Sequence, residues 1–197
     1  MENRETEVKF YVRKLPAIEK QLRQFGAVCI EPRQHEVNYR FDTPNGELKN
    51  TQRVLRLRQC RDTILTFKGP SESRDGVFSR QEIEVKVDDL GQMRLVLEAL
   101  GYAVIFIYEK YRTVYDLDGL HAMLDELPFG NFVEIEGEAV EIRSLSDRLG
   151  LVWKRAVPTG YAVLFETARA SFELPFRDLT FANFVDRAIR LDVQPAD

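Results

Sequence analysis

The sequence predicts an α+β fold: eight antiparallel strands closed into a β-barrel tunnel with a charged interior, and amphipathic helices packed outside. Three observations carry this expectation. Apolar and charged residues alternate with period two in segment after segment, the mark of strands with two unlike faces. The charged faces carry Glu, Lys and Arg, with little of the Thr, Ser and Gln that dilutes a solvated sheet face. Helical periodicity appears only where the strands pause.

The elements follow in order. In the first strand Thr6, Val8, Phe10 and Val12 form one face and Glu5, Glu7, Lys9 and Tyr11 the other. A helix is predicted over 16–25, with a proline in its first turn, Ile18, Leu22 and Phe25 as its stripe, and Gly26 as C-cap. A short strand at 35–42 ends in the turn residues Thr43-Pro44-Asn45-Gly46. In 53–59 Leu55 and Leu57 oppose Arg56 and Arg58, and in 63–68 Leu65 and Phe67 oppose Thr66 and Lys68. After Gly69-Pro70-Ser71, Ile83, Val85 and Val87 oppose Glu82, Glu84 and Lys86. Leu90, Met93, Leu97 and Leu100 predict a helix over 89–100, closed by Gly101. A long strand over 104–116 carries Lys110 and Arg112, a shorter one follows at 119–125, and Val133 and Ile135 oppose Glu134 and Glu136 in the last. Further helices are expected near 144–149 and over 161–170 and 178–190, the last two separated by Pro175. With no repeat and no linker, residues 1–170 read as the barrel domain and 171–197 as a C-terminal helical appendage packed on it.

Composition excludes several classes. Among 197 residues, 44% are hydrophobic and 30% charged, enough apolar mass for one sizeable core and too much for a disordered chain. The longest apolar run, Tyr102 to Tyr108, is too short to span a membrane, and the opening Met-Glu-Asn-Arg-Glu-Thr has no signal-peptide pattern. A cytoplasmic protein without membrane partners is expected. Two Cys and two His make neither a zinc finger nor a disulfide scaffold. A net charge of −4 argues against affinity for nucleic acid. There is no G-x-x-x-x-G-K phosphate loop, and His121 and Cys60 lack a set of residues that would make either a catalytic acid, base or nucleophile.

The decisive question is which way the charged faces point. Eight strands can close around a small ligand, and if helices cover the apolar outside, the charges line the inside. Unpartnered interior charges are costly, so acids must find cations and bases anions. Divalent metal and polyphosphate are the natural guests, because carboxylate oxygens suit Mg²⁺ or Mn²⁺ and these ions are commonly shared with substrate phosphates.

At this point the motifs carry a resemblance. Glu5-Thr6-Glu7-Val8-Lys9 resembles the E-x-E-x-K signature of the CYTH superfamily, the triphosphate tunnel metalloenzymes. The match continues in order through Leu55-Arg56-Leu57-Arg58, Leu65-Thr66-Phe67-Lys68-Gly69-Pro70, Arg80-Gln81-Glu82-Ile83-Glu84, Lys110-Tyr111-Arg112, and Leu124-Asp125-Glu126-Leu127-Pro128 with Gly130, Phe132, Glu134 and Glu136. It covers residues 5 to about 165 and looks most like the class IV adenylate cyclase branch. The resemblance implies that Glu5, Glu7, Glu134 and Glu136, with Asp125 a weaker candidate, hold Mg²⁺ or Mn²⁺. It implies that Lys9, Arg56, Arg58, Lys68, Arg80, Lys110 and Arg112 hold a small-molecule triphosphate, with Lys9, Arg58 and Lys110 the catalytic candidates. Glu82 and Glu84 would take a second metal or orient neighbouring bases, and Glu84 reads as the latter. The implied reaction is ATP to cyclic AMP and pyrophosphate; the alternatives are hydrolysis of tripolyphosphate or thiamine triphosphate, and non-catalytic binding. The cyclase branch often carries a His-Phe pair shortly before its first motif, a place held here by Met1 to Arg4.

Overall fold

The computed structural model describes residues 4–74, 77–187, 189 and 191–197. Among the described residues nine strands form one sheet: β1 (Arg4–Val12), β2 (Val28–Asp42), β3 (Val54–Gln59), β4 (Thr63–Lys68), β5 (Glu72–Arg74), β6 (Val77–Val87), β7 (Ala103–Leu117), β8 (Leu120–Leu127) and β9 (Gly130–Glu136). The order β1-β9-β8-β7-β2-β3-β4-β6 returns on itself because β6 also pairs with β1, and β5 is a short extra strand on β6. All these pairings are antiparallel. The eight expected strands therefore close into a ring.

Register decides which residues face inward, since residues directly opposite on paired strands share a face. Glu7 lies opposite Glu136 and Lys9 opposite Glu134 across β1 and β9, and Glu5 lies opposite Arg80 across β1 and β6. Arg40, Arg56, Thr66 and Glu84 run in one row across β2, β3, β4 and β6. The alternate residues Val8, Phe10, Val133 and Ile135 point outward, where α1 (Leu15–Gln24) and α4 (Ala139–Arg148) bury them with Leu15, Ile18, Leu22, Ile142 and Leu145. Helix α3 (Leu90–Ala99), capped by the Asp89 carboxylate accepting from the Gln92 N–H at 2.9 Å, seals Phe41 and Leu57 through Leu97. The short helix α2 (Glu47–Asn50) was not expected. It is held by Asp42, whose carboxylate accepts from the backbone N–H groups of Thr43, Leu48 and Lys49. The outer face of β6 is less covered: Ile83 and Val85 are about half exposed.

At one end the inward face turns apolar. Phe106, Tyr108 and Phe132 continue the inward rows of β7 and β9, and α5 (Tyr161–Ser171) closes over them with Tyr161, Leu164 and Phe165. The chain after α5 departs from expectation. In place of a helix over 178–190 there is one 3₁₀ turn, Phe181–Phe184, with residues 188 and 190 outside the described set. Strand β8 reaches only as far as Tyr111 along β7, leaving the edge of β7 before it open. Leu179 fills that edge: its N–H donates to the Ile107 carbonyl and its carbonyl accepts from Glu109 N–H, both at 2.9 Å. Satisfying those strand groups outweighs the helical periodicity of the segment. Among the described residues no helix is long and apolar enough to cross a membrane.

Candidate functional site

Inside the ring lies a cavity of about 210 Å³. It is lined by all seven bases that the motifs single out, Lys9, Arg56, Arg58, Lys68, Arg80, Lys110 and Arg112, and by Glu5, Glu7, Glu134 and Glu136. Glu82, Glu84, Arg40, Tyr108 and Tyr161 complete most of its wall.

The charges are interlocked. Lys68 Nζ donates to both oxygens of Glu5 at 2.8 Å and lies 3.1 Å from Glu82. Arg80 bridges Glu5 at 3.0 Å and Glu7 at 3.2 Å. Lys9 pairs with Glu134 at 2.9 Å and sits 4.3 Å above the centre of the Tyr161 ring. Arg112 donates to Glu134 as well as to both oxygens of Asp125. Arg56 reaches Glu84 at 3.4 Å, and Thr66 Oγ1 donates to the same carboxylate at 2.7 Å. Glu84 thus lies against Arg56 and Thr66.

Surroundings separate the carboxylates. Burial would raise Glu5, but Lys68 and Arg80 outweigh it and hold its pKa at about 2. Burial opposes ionisation of Glu134 too, and Lys9 and Arg112 overcome it, holding that carboxyl well below the ordinary range. Glu136 goes the other way: burial, with the charges of Glu5 and Glu7, raises it. Glu82 is lifted from 4.5 to about 7, by burial first and then by Glu5 against the pull of Lys68. Glu5 and Glu82 share Lys68 between them, and their surroundings push the two carboxyls in opposite directions.

Asp125 sits apart from the other candidate ligands. It is fully buried and accepts from Lys110 Nζ at 3.0 Å, from Arg112 twice at 2.6 Å, and from Tyr161 Oη at 2.8 Å. Its oxygens are committed to donors and it does not line the cavity, so it anchors bases from behind. Glu36, absent from the motif reading, lies 3.6 Å from both Arg58 and Lys110, an ion pair with each, while among the described residues neither of its oxygens accepts a hydrogen bond. Burial resists its charge, but Lys110, Arg112 and Arg58 hold its pKa at about 2. The period-two pattern of 35–42 puts Glu36, Asn38 and Arg40 on one face, which was the available signal for both Glu36 and Arg40. Cys60 lies outside the cavity lining, as does His121, opposite Glu136 on β8.

A closed ring of strands whose interior holds paired acids and bases around a small cavity is a tunnel architecture. The chain belongs to the CYTH domain family, which it matches over residues 3–158. It is 28% identical over 145 residues to a Methanocaldococcus jannaschii protein provisionally named an adenylate cyclase, covering 73% of this chain and 78% of that one. Among solved structures it resembles a Vibrio parahaemolyticus protein, also provisionally named an adenylate cyclase, with TM-score 0.75 and 22% identity over 84% of this chain and 99% of that one. It also resembles a Hippeastrum protein, provisionally named an adenylyl cyclase and described as having a dominant triphosphatase activity. That likeness has TM-score 0.62 and 21% identity over 85% of this chain and 96% of the other.

Proposed function

We propose that the protein is a divalent-metal-dependent enzyme acting on triphosphates inside the tunnel, in the manner of an adenylate cyclase that converts ATP to cyclic AMP and pyrophosphate. The observation that supports this reading is the meeting of the seven motif bases and four motif carboxylates on one cavity. The archaeal relative named as a cyclase supports the choice of branch.

The residues present fit a metal of the Mg²⁺ type. Among the described residues no three Asp, Glu, His or Cys side chains form a cage for an ion. Such a cage is not needed, because Mg²⁺ is usually held by one or two carboxylates together with substrate phosphates. Glu7 and Glu136, opposite each other on β1 and β9, supply that number. Glu136 has no ion pair among the described residues, and the neighbouring carboxylates disfavour its charge, a strain that a cation relieves. Glu5 and Glu134 complete the acidic set, each already paired with bases. When bound, Mg²⁺ or Mn²⁺ supplies charge neutralisation at the phosphate oxygens.

The protein's own groups do the rest. Arg56, Arg58, Lys68, Arg80 and Arg112 hold phosphoryl oxygens by charge-assisted hydrogen bonds. Lys9, Arg58 and Lys110 stabilise charge that builds up on the phosphate as its bond breaks. In cyclisation the ribose 3′-hydroxyl gives up its proton to solvent and its oxygen bonds to the α-phosphorus, while the bond to the bridging oxygen breaks and pyrophosphate leaves. No protein nucleophile takes part.

Hydrolysis of a triphosphate, inorganic tripolyphosphate or thiamine triphosphate, is the second reading, favoured by the size of the cavity. At about 210 Å³ it falls below the roughly 300–1,000 Å³ of pockets for drug-sized ligands. Its wall is mostly charged, which suits a bare polyphosphate. Products separate the readings. Incubation with Mn²⁺ and ATP should yield cyclic AMP and pyrophosphate; orthophosphate labelled from oxygen-18 water would establish the hydrolase in its place. Tight binding without product from ATP, thiamine triphosphate or tripolyphosphate would contradict both and leave a binding protein.

A further inference from the structure

Every motif base in the cavity has a carboxylate within 4 Å: Lys9 has Glu134, Arg56 has Glu84, Arg58 has Glu36, Lys68 has Glu5, Arg80 has Glu7, and Lys110 and Arg112 share Asp125. Arg40 lines the same cavity and has none among the described residues. Its Nε is buried without a hydrogen-bond partner, as are those of Arg56 and Arg58, but unlike those two residues Arg40 has no ion pair among the described residues to offset its charge. It stands directly opposite Arg56 on β3, so two guanidinium groups share one rung on the inner face. Like charges directly opposite on neighbouring strands destabilise a sheet. Burial and then Arg56 and Arg80 depress the proton affinity of Arg40, opposed by Tyr108 and Asp42. Asp42, the nearest acid along its own strand, is occupied by three backbone N–H groups around α2.

A guanidinium kept unpaired and crowded by its own kind lacks an anion. The other bases are committed to wall carboxylates, and an incoming phosphate must compete with those for them. For Arg40 there is no such competitor. We propose that Arg40 is a substrate-contacting residue of this site, binding a phosphoryl oxygen of the triphosphate alongside Arg56 and Arg80. The inference rests on the polyphosphate reading above and deepens it. Arg40 belongs to a group of bases distinct from Lys110 and Arg112, which are gathered by Glu36, Asp125 and Glu134. A linear anion that engages both groups has to extend across the cavity, so Arg40 should favour tripolyphosphate over shorter phosphates.

The test is calorimetric titration of wild type, Arg40→Gln and Arg40→Lys with tripolyphosphate, pyrophosphate and orthophosphate, each with Mg²⁺, together with melting temperatures of the unliganded proteins. Arg40→Gln should weaken tripolyphosphate on the order of tenfold and orthophosphate much less. Its unliganded melting temperature should equal or exceed that of wild type, because an unpaired cation is removed. Arg40→Lys should fall between the two in affinity. Tripolyphosphate affinity unchanged in Arg40→Gln would overturn the role of Arg40 while leaving the polyphosphate site standing. A drop in melting temperature with affinity unchanged in both variants would make Arg40 structural. Failure of the wild type to bind tripolyphosphate at all would overturn the polyphosphate reading itself, and this inference with it.

Discussion

Glu134 and Glu136 lie two residues apart on β9 and line the same cavity, yet their neighbours push them in opposite directions. Glu134 is gripped by Lys9 and Arg112, which favour its ionised form, whereas Glu136 has no ion pair among the described residues, and burial with the charges of Glu5 and Glu7 outweighs the pull of Lys68. Removing one partner of a buried pair strands the other, at a cost of about 3–5 kcal/mol. Glu134→Gln should therefore lose stability of that order in urea. Glu136→Gln should be as stable as wild type or more so, and both it and Glu7→Gln should lose metal-dependent turnover. Normal turnover of the last two at limiting metal would remove them as ligands. Titration adds a second expectation. Glu5 and Glu36, held at about 2, contribute stability that is present above about pH 4.5 and lost as pH falls towards 2. Glu82, lifted to about 7, works with the opposite sign: its contribution is complete below pH 4.5 and lost as pH rises through 7. Metal-free protein should be most stable near pH 4.5–5, and Glu82→Gln should flatten the decline towards neutrality. A wild-type profile that rises from pH 5 to 7 and is unchanged in Glu82→Gln would contradict this. Much of this site was legible in sequence, because strand alternation displays every second residue to one face. Asp125 shows where sequence runs out: a motif carboxylate occupied by Lys110, Arg112 and Tyr161 looks the same in sequence as one left open to a cation. Arg40 went unnoticed because it stands between aromatic Tyr39 and Phe41 with no neighbouring base to mark it.

At the scale of elements, the legible parts were those in which one local period dominates. The helices at 16–25 and 89–100 appear nearly as expected, as α1 and α3, because an amphipathic stripe and a terminal glycine agree. Strand β2 runs from Val28, well before residue 35, since its first half pairs with β7 through register shifts that blur the alternation. The segment 178–190 shows the opposite failure, a helical stripe overridden by an open strand edge. A helix over 178–190 would put Phe184, Val185 and Ala188 on one buried apolar face. In the structure Leu179 is fully buried against the β7 edge and Val185 is 77% exposed. Leu179→Ala should cost about 2–5 kcal/mol and Val185→Ala less than about 0.5 kcal/mol, read from chemical denaturation. Equal losses at both positions would restore the helix. Two later segments meet β1 in the same way, with Val157 N–H donating to the Lys9 carbonyl at 2.7 Å and Ala196 N–H to the Tyr11 carbonyl at 2.8 Å. Those bonds brace the strand that carries Glu5, Glu7 and Lys9.

For the molecule as a whole, the ring reconciles two demands that conflict in an ordinary core. Helices on the outside bury the apolar faces, which supplies the hydrophobic stabilisation. The interior is then free to hold charge, and pairing of acids with bases limits the cost of keeping it away from water. Among the described residues lining the cavity, Arg40 and Glu136 are the charged groups without an ion pair, and on the function proposed above they are where an anion and a cation would settle. The most direct measurement is diffraction from crystals grown with Mn²⁺ and tripolyphosphate, using the anomalous signal of manganese. The expected map has a manganese peak within bonding distance of Glu7 and Glu136, with phosphate density running from it past Arg56 and Arg40. Manganese or phosphate found only outside the ring, with the interior ion pairs intact, would contradict the account.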